Sequence, residues 1–139
     1  MKETVGRSIG MLSNLIRRHF STFSFHDTLS PAQGKTLHFI LARSMDTDVF
    51  QKDVEEEYSL RPPTATKILK DMEKNGLIRR ETVPYDARLK RIVVTEKGLQ
   101  YQGMIRESLE ETERRLTEGI TDDLATFFRV ISRMIRNMS

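Results

Sequence analysis

The chain has 139 residues, enough for one domain with a real core, and 31 % of them are charged. It contains no cysteine, which excludes disulfides, thiolate metal sites and cysteine-based redox sensing. No apolar run approaches the about 20 residues of a membrane span, and Met1–Gly10 carries Lys2, Glu3 and Arg7 where a secretory leader is apolar, so a cytoplasmic protein is expected.

Residues 4–24 repeat apolar side chains (Ile9, Leu12, Ile16, Phe20, Phe23) at helical spacing. Ser30-Pro31-Ala32-Gln33 is a capping box with proline at the first helical position, and it predicts a helix to about Arg43. Gln33-Gly34-Lys35-Thr36 ends like a phosphate-binding loop, but Leu29 stands where that motif needs glycine. Asp48 or Val49 opens a short helix through Glu57, and Tyr58-Ser59-Leu60 turns the chain.

The next helix should begin at Pro62 or Pro63, because proline fixes φ and pushes its predecessor out of the α region. Gly76 after Asn75 is the expected left-handed stop. At about 100° per residue, Ala65, Ile68, Leu69 and Met72 share one side. Pro63, Thr66, Lys67, Lys70 and Lys74 share the other, with Thr64 at its border and no acid among them. That shape and charge suit a helix laid into a DNA major groove.

Ile78–Val83 and Leu89–Thr95 read as two short strands joined by the turn Pro84-Tyr85-Asp86-Ala87-Arg88. Residues 61–91 hold nine basic side chains (Arg61, Lys67, Lys70, Lys74, Arg79, Arg80, Arg88, Lys90, Arg91) against four acidic ones (Asp71, Glu73, Glu81, Asp86). The segment is therefore +5 in a chain of net +3, so positive charge is concentrated where phosphates would be held.

Thr95 caps a long helix expected to reach Glu118, with Gly119 ending it. At about 1.5 Å per residue it would be roughly 35 Å long. Thr121 caps a last helix in which Leu124, Phe128, Ile131, Ile135 and Met138 form a heptad stripe. So small a chain has little to cover the outer stripes. The economical solution is a twofold homodimer in which residues 4–24 and 100–138 of two chains interlock; packing within one subunit is the alternative.

The run Arg61-Pro62-Pro63-Thr64-Ala65-Thr66, followed by Met72-Glu73-Lys74-Asn75-Gly76-Leu77-Ile78, resembles the recognition helix of the multiple-antibiotic-resistance regulator (MarR) family. Asp86-Ala87-Arg88 with Val94-Thr95 downstream is similar to that family's wing signature, with valine where leucine is commoner. The resemblance extends over essentially the whole chain. It implies a mainly α fold with a small β wing: a winged helix-turn-helix at about residues 30–95, between dimerisation helices at about 4–24 and 100–138. It further implies a ligand-responsive repressor that binds a pseudo-palindromic operator in double-stranded DNA as a homodimer, and a small phenolic or anionic effector. A winged-helix protein-interaction module without DNA readout is the alternative, which retention of the lysine face and wing arginine disfavours.

On this reading Pro63, Thr66 and Lys67 face base edges, Arg61, Lys70 and Lys74 hold phosphates, and Thr64 and Lys90 complete the DNA-binding set. Arg88 enters the adjacent minor groove, and Asp86 orients it as an ion-pair partner. For the effector, the resemblance places a pocket between the dimer helices and the winged lobe, with His19, Phe20, Phe23, His38 and Phe39 as lining candidates and ordinary core or surface roles as the alternative. His19 and His38 should meet where the first two helices pack, whereas His19, His26 and His38 lack the partners of a metal site. No catalytic triad, paired carboxylate or cofactor motif is present, so neither an enzyme nor a cofactor is expected.

Overall fold

In the computed structural model, residues 2–23 and 29–139 are described; Ser24, at the end of the first expected helix, and His26 lie outside them. Among the described residues the chain begins with α1 (Val5–Phe20) and α2 (Pro31–Ser44), then α3 (Gln51–Tyr58) and α4 (Pro62–Lys74). A hairpin of β1 (Ile78–Val83) and β2 (Asp86–Val94) follows, then α5 (Glu96–Leu99), α6 (Gln102–Leu116) and α7 (Leu124–Met138). This is a mainly helical winged helix with one two-stranded antiparallel sheet.

The punctuation seen in the sequence accounts for most boundaries. The Ser30 hydroxyl accepts from Gln33 N at 3.2 Å and the Gln33 side chain accepts from Ser30 N at 3.4 Å, the expected capping box. Pro62 starts α4, and Gly76 ends it at φ 75°, a conformation that costs glycine nothing. Ala65, Leu69 and Met72 of α4 are buried with Leu37 and Ile40 of α2, Val54 of α3, Ile78 and Ile92 of the hairpin and Ile105 of α6.

Four expectations are corrected. The short third helix starts at Gln51, because Phe50 is extended (φ −119°, ψ 165°) and the Val49 carbonyl accepts the Ile92 N–H of β2 at 2.7 Å. Asp53 then accepts the Phe50 N–H at 2.8 Å to close the helix start. The second strand begins at Asp86, not Leu89: Val83 pairs with Asp86, which leaves a loop of only Pro84 and Tyr85 and places Arg88 on the strand. The long helix after Thr95 is broken at Gln100–Tyr101 into α5 and α6 and stops at Leu116. Finally, Thr121 makes no cap; residues Thr121–Asp123 wind into a 3₁₀ turn, and α7 begins at Leu124.

The break has a visible cause. A Cβ on Gly98 would lie 2.7 Å from Val94 Cγ1 and inside contact distance of the Leu77 carbonyl oxygen, so α5 sits hard against the hairpin base. Thr95 Oγ1 also donates to the Gly76 carbonyl at 2.5 Å, and Lys97 Nζ to the Asn75 carbonyl at 2.7 Å. Pinned there, α5 cannot follow the line of α6, which packs on α1 and α2. The Tyr101 N–H bonds Gly98 O, a tightened turn between the two segments.

The outer helices are the least covered part of the chain. No residue of α7 is buried, and Phe127, Phe128, Val130, Ile135 and Met138 are exposed. On α1 the same is true of Val5, Ile9, Met11, Leu12 and Leu15. The two helices share a cleft of about 410 Å³ lined by Val5, Ile9, Phe127, Val130, Ile131 and Met134.

Candidate nucleic-acid interface

Helix α4 is anchored by its apolar side and by α3, with which it makes the helix-turn-helix. Ser59, in the left-handed region at φ 51°, turns the chain between them. The opposite side of α4 presents Pro63, Thr64, Lys67, Lys70 and Lys74, all exposed, with Arg61 exposed at its N-terminal edge. Arg61, Lys70, Lys74 and Lys90 form no ion pair among the described residues, so their charges are available to phosphate.

Two members of the reading face are engaged by neighbours. Lys67 Nζ lies 3.3 Å from Asp71 Oδ2, so an acid reaches the lysine face from its flank, contrary to the sequence reading. The pair is one turn apart and well exposed, a weak tie that an acceptor on a base can replace. Thr66 is half-buried, and its Oγ1 accepts from Gln51 Nε2 at 2.9 Å. Gln51 is not legible in the sequence as a participant; only its place at the start of the preceding helix could have suggested it.

In the wing, Asp86 Oδ1 accepts from the Arg88 backbone N–H at 2.9 Å and from its Nε at 3.2 Å, and Oδ2 accepts from Nη2 at 3.2 Å. The Arg88 guanidinium, reinforced by its backbone N–H, holds the Asp86 carboxyl below the usual carboxylate range. The Arg88 side chain is otherwise 90 % exposed, so it is oriented without being covered. The short loop puts Tyr85, rather than Arg88, at the wing tip, where it is 67 % exposed. A turn of five residues has Asp86 at its centre, and only the two-residue loop brings Tyr85 to the tip.

Part of the segment's positive charge is internal to the wing. Glu81 bonds Arg79 Nε at 3.0 Å and Arg91 Nε at 3.1 Å, and Arg91 also reaches Asp48 at 3.6 Å. Arg79 and then Arg91 lower the Glu81 pKa accordingly. The Nε and Nη2 atoms of Arg80 are buried without a partner, so this arginine is not offered to solvent as the others are. The charge available for DNA therefore lies on α4 and on the outer strand, not along the whole hairpin.

The five residues suggested for an effector do not converge on one cavity. Phe20 and Phe39 are buried in the core, Phe20 under the Lys35 ammonium (5.5 Å to the ring centre) and Phe39 edge-on to Tyr58. His38 is half-buried on α2. His19 turns toward α6, its Nδ1 3.4 Å from Arg115 Nη1, rather than pairing with His38 as expected. It lines a cleft of about 560 Å³ with Leu12, Leu15, Ile16, Arg18 and Arg115. Phe23 lines a separate one of about 550 Å³ with Met104, Glu107 and Arg114. A third cleft, of about 380 Å³, lies between the helices of the two lobes and includes Arg17, Lys35 and Tyr58. Burial, then the nearby Arg17 charge, lowers the Lys35 pKa. Burial and then the Glu57 charge push the Tyr58 phenol up to about 12, and its hydroxyl donates to the Lys35 carbonyl at 2.8 Å.

Comparison with known proteins agrees with this geometry. The sequence profile of the MarR family matches residues 27–89, a segment that includes α2, α3, α4 and β1. The crystal structure of the transcription regulator MarR from Oenococcus oeni PSU-1 is 25 % identical, with a TM-score of 0.83 over 96 % of this chain and 99 % of that one. The S. aureus MepR–DNA complex is 20 % identical, with a TM-score of 0.88 over 98 % and 99 % of the two chains. The PcaV transcriptional regulator from Streptomyces coelicolor, solved with its natural ligand, is 19 % identical, with a TM-score of 0.82 over all of both chains. At these last two identities the likeness is one of fold.

Proposed function

We propose that this chain, whose residues 27–89 match the MarR family profile and whose fold is that of solved transcription regulators, acts as a homodimeric, ligand-responsive repressor of a pseudo-palindromic operator. The observation that carries the DNA-reading part is the pairing of two outward cationic features: the α4 lysine face and Arg88, held in a fixed pose by Asp86. Pro63, Thr64, Thr66 and Lys67 meet base edges. Arg61, Lys70, Lys74 and Lys90 meet phosphates, and Arg88 enters the minor groove beside the recognition helix.

The exposed stripes of α1 and α7 support the dimer. They leave large apolar side chains of both helices exposed around a shared cleft, a surface that a second copy can cover by twofold symmetry. Two reading heads then contact half-sites separated by about one helical turn or a multiple of it. The clefts bearing Arg18 with Arg115, and Arg17 with Lys35, offer cations beside apolar walls, which suits a small aromatic or anionic effector. MepR's solved DNA complex and PcaV's solved ligand complex support both halves of the reading by analogy of fold.

The test is selection of bound duplex from a random pool, combined with sedimentation of the free protein and of the complex. The expected result is an inverted repeat bound by two chains. Enrichment of no sequence, or a monomer on a single unrepeated site, would overturn the proposal.

A further inference from the structure

The side chain that opens α3 reaches into the reading helix. Gln51 Nε2 donates to Thr66 Oγ1 at 2.9 Å, to Glu55 Oε2 at 3.2 Å and toward the Pro62 carbonyl at 3.4 Å. A carboxylate and a carbonyl can only accept, so the amide is locked with its nitrogen inward. Turning it over would aim its oxygen at both of them.

The consequence falls on Thr66. A hydroxyl has one proton to give and two acceptor positions, and one of those positions is taken by Gln51. Other helical hydroxyls in this chain return their proton to their own helix: Thr36 to Ala32 O at 2.7 Å, Ser44 to Ile40 O at 2.5 Å, Thr112 to Ser108 O at 2.7 Å. Thr66 makes no such bond among the described residues; the carbonyl four residues back, on Pro62, is turned to Gln51 instead. With no acceptor in its own helix, the Thr66 proton is left for the groove.

We propose that Gln51 is a positioning residue that, by closing one of the two acceptor positions of Thr66, biases its hydroxyl toward donating to DNA, so that a base edge presenting an acceptor is favoured opposite Thr66. The inference rests on the DNA-reading role proposed above. In the major groove guanine offers N7 and O6, adenine N7 and thymine O4, while cytosine offers only its amino donor. Cytosine is therefore the base disfavoured at that position of each half-site. Without Gln51 both acceptor positions of the hydroxyl are open, and the bias against cytosine relaxes.

The experiment is random-pool selection with the full-length protein, run on wild type, Gln51→Met, Thr66→Val, Thr66→Ser and the Gln51→Met/Thr66→Val double variant, with a melting curve for each. Wild type and Thr66→Ser should deplete cytosine at one half-site position by about 2- to 12-fold, the worth of one neutral hydrogen bond. Gln51→Met and Thr66→Val should each remove that depletion, and the double variant should match Thr66→Val, because Gln51 acts only through the hydroxyl. If Gln51→Met melts lower yet keeps the wild-type base profile, Gln51 is scaffold only and the proposal is wrong. It is equally wrong if Thr66→Val leaves the profile unchanged. A wild-type protein that enriches no sequence overturns the DNA-reading role itself, an outcome plainly different from an unchanged motif in the variants.

Discussion

Replacing Gly98 with alanine should unseat the wing without touching any residue assigned to DNA. The added methyl carbon would stand 2.7 Å from Val94 Cγ1, and closer still to the Leu77 carbonyl oxygen. Carbon atoms normally rest about 3.5–4.0 Å apart, so α5 and the hairpin base must separate by at least about 0.8 Å. Overfilling of this kind costs about 1–3 kcal/mol. The same movement strains the bond from Thr95 N to Leu77 O (3.0 Å) and the bond from Thr95 Oγ1 to Gly76 O, each worth about 0.5–1.5 kcal/mol. A total of about 2–4 kcal/mol follows, or roughly 10 °C in melting temperature for a domain of this size. Gly103, in the first turn of α6 with nothing within 4 Å of an added methyl, is the internal control. Gly103→Ala should be neutral or stabilising by up to about 1 kcal/mol, since alanine is the better helix former. Urea unfolding of both variants at one protein concentration measures the difference. A Gly98→Ala protein within about 0.5 kcal/mol of wild type, a spread typical of uninvolved surface positions, would refute the claim that this contact seats the wing.

Arg88→Ala should weaken operator binding more than Asp86→Ala, and the double variant should match Arg88→Ala; additive losses in titrations, insensitive to G·C-rich flanks, would contradict the minor-groove role. Lys70→Ala should weaken binding to every sequence alike and reduce the salt slope by about one, whereas Lys67→Ala should shift base preference at one half-site position by roughly 1–3 kcal/mol. Competition titrations over a range of salt separate the two, and a Lys70 effect confined to one sequence would overturn the assigned helix register. Truncation before Leu124 should yield monomers or aggregates without operator binding. Sedimentation of a truncated monomer that still binds a palindrome at full strength would refute that.

The sequence is most legible where one residue type admits one backbone. Ser30 with Gln33, Pro62 and Gly76 each announce a boundary that the structure repeats, and the Ala65–Leu69–Met72 stripe is the buried side of α4. What it conceals are pairings between distant segments. The hydrogen bond from Ile92 to Val49 delays α3, and the fit of Gly98 under Leu77 and Val94 breaks the long helix; neither leaves a local trace. The turn at Pro84-Tyr85 is shorter than its composition suggests, because Asp86 and Arg88 look like loop residues, yet their ion pair is made across one side of a strand. At the candidate interface the cations are visible by letter, but Glu81's capture of Arg79 and Arg91, and Gln51's hold on Thr66, depend on geometry alone.

A 15-residue helix in which no side chain is buried has little within its own chain to hold it, and isolated helices of that length are marginal in water. On the dimer reading, α7 draws its stability from the second copy, so folding of this arm is second order in the protein. Dilution then acts as a denaturant: below the dissociation constant, the population of complete reading pairs falls with the square of the chain concentration. Surplus single chains carry Phe128 and Ile135 bare, at 53 % and 59 % exposure, on a loosely held helix, the kind of substrate that proteases clear first. On that reading the supply of this protein would be trimmed toward paired molecules by the same surface that pairs them.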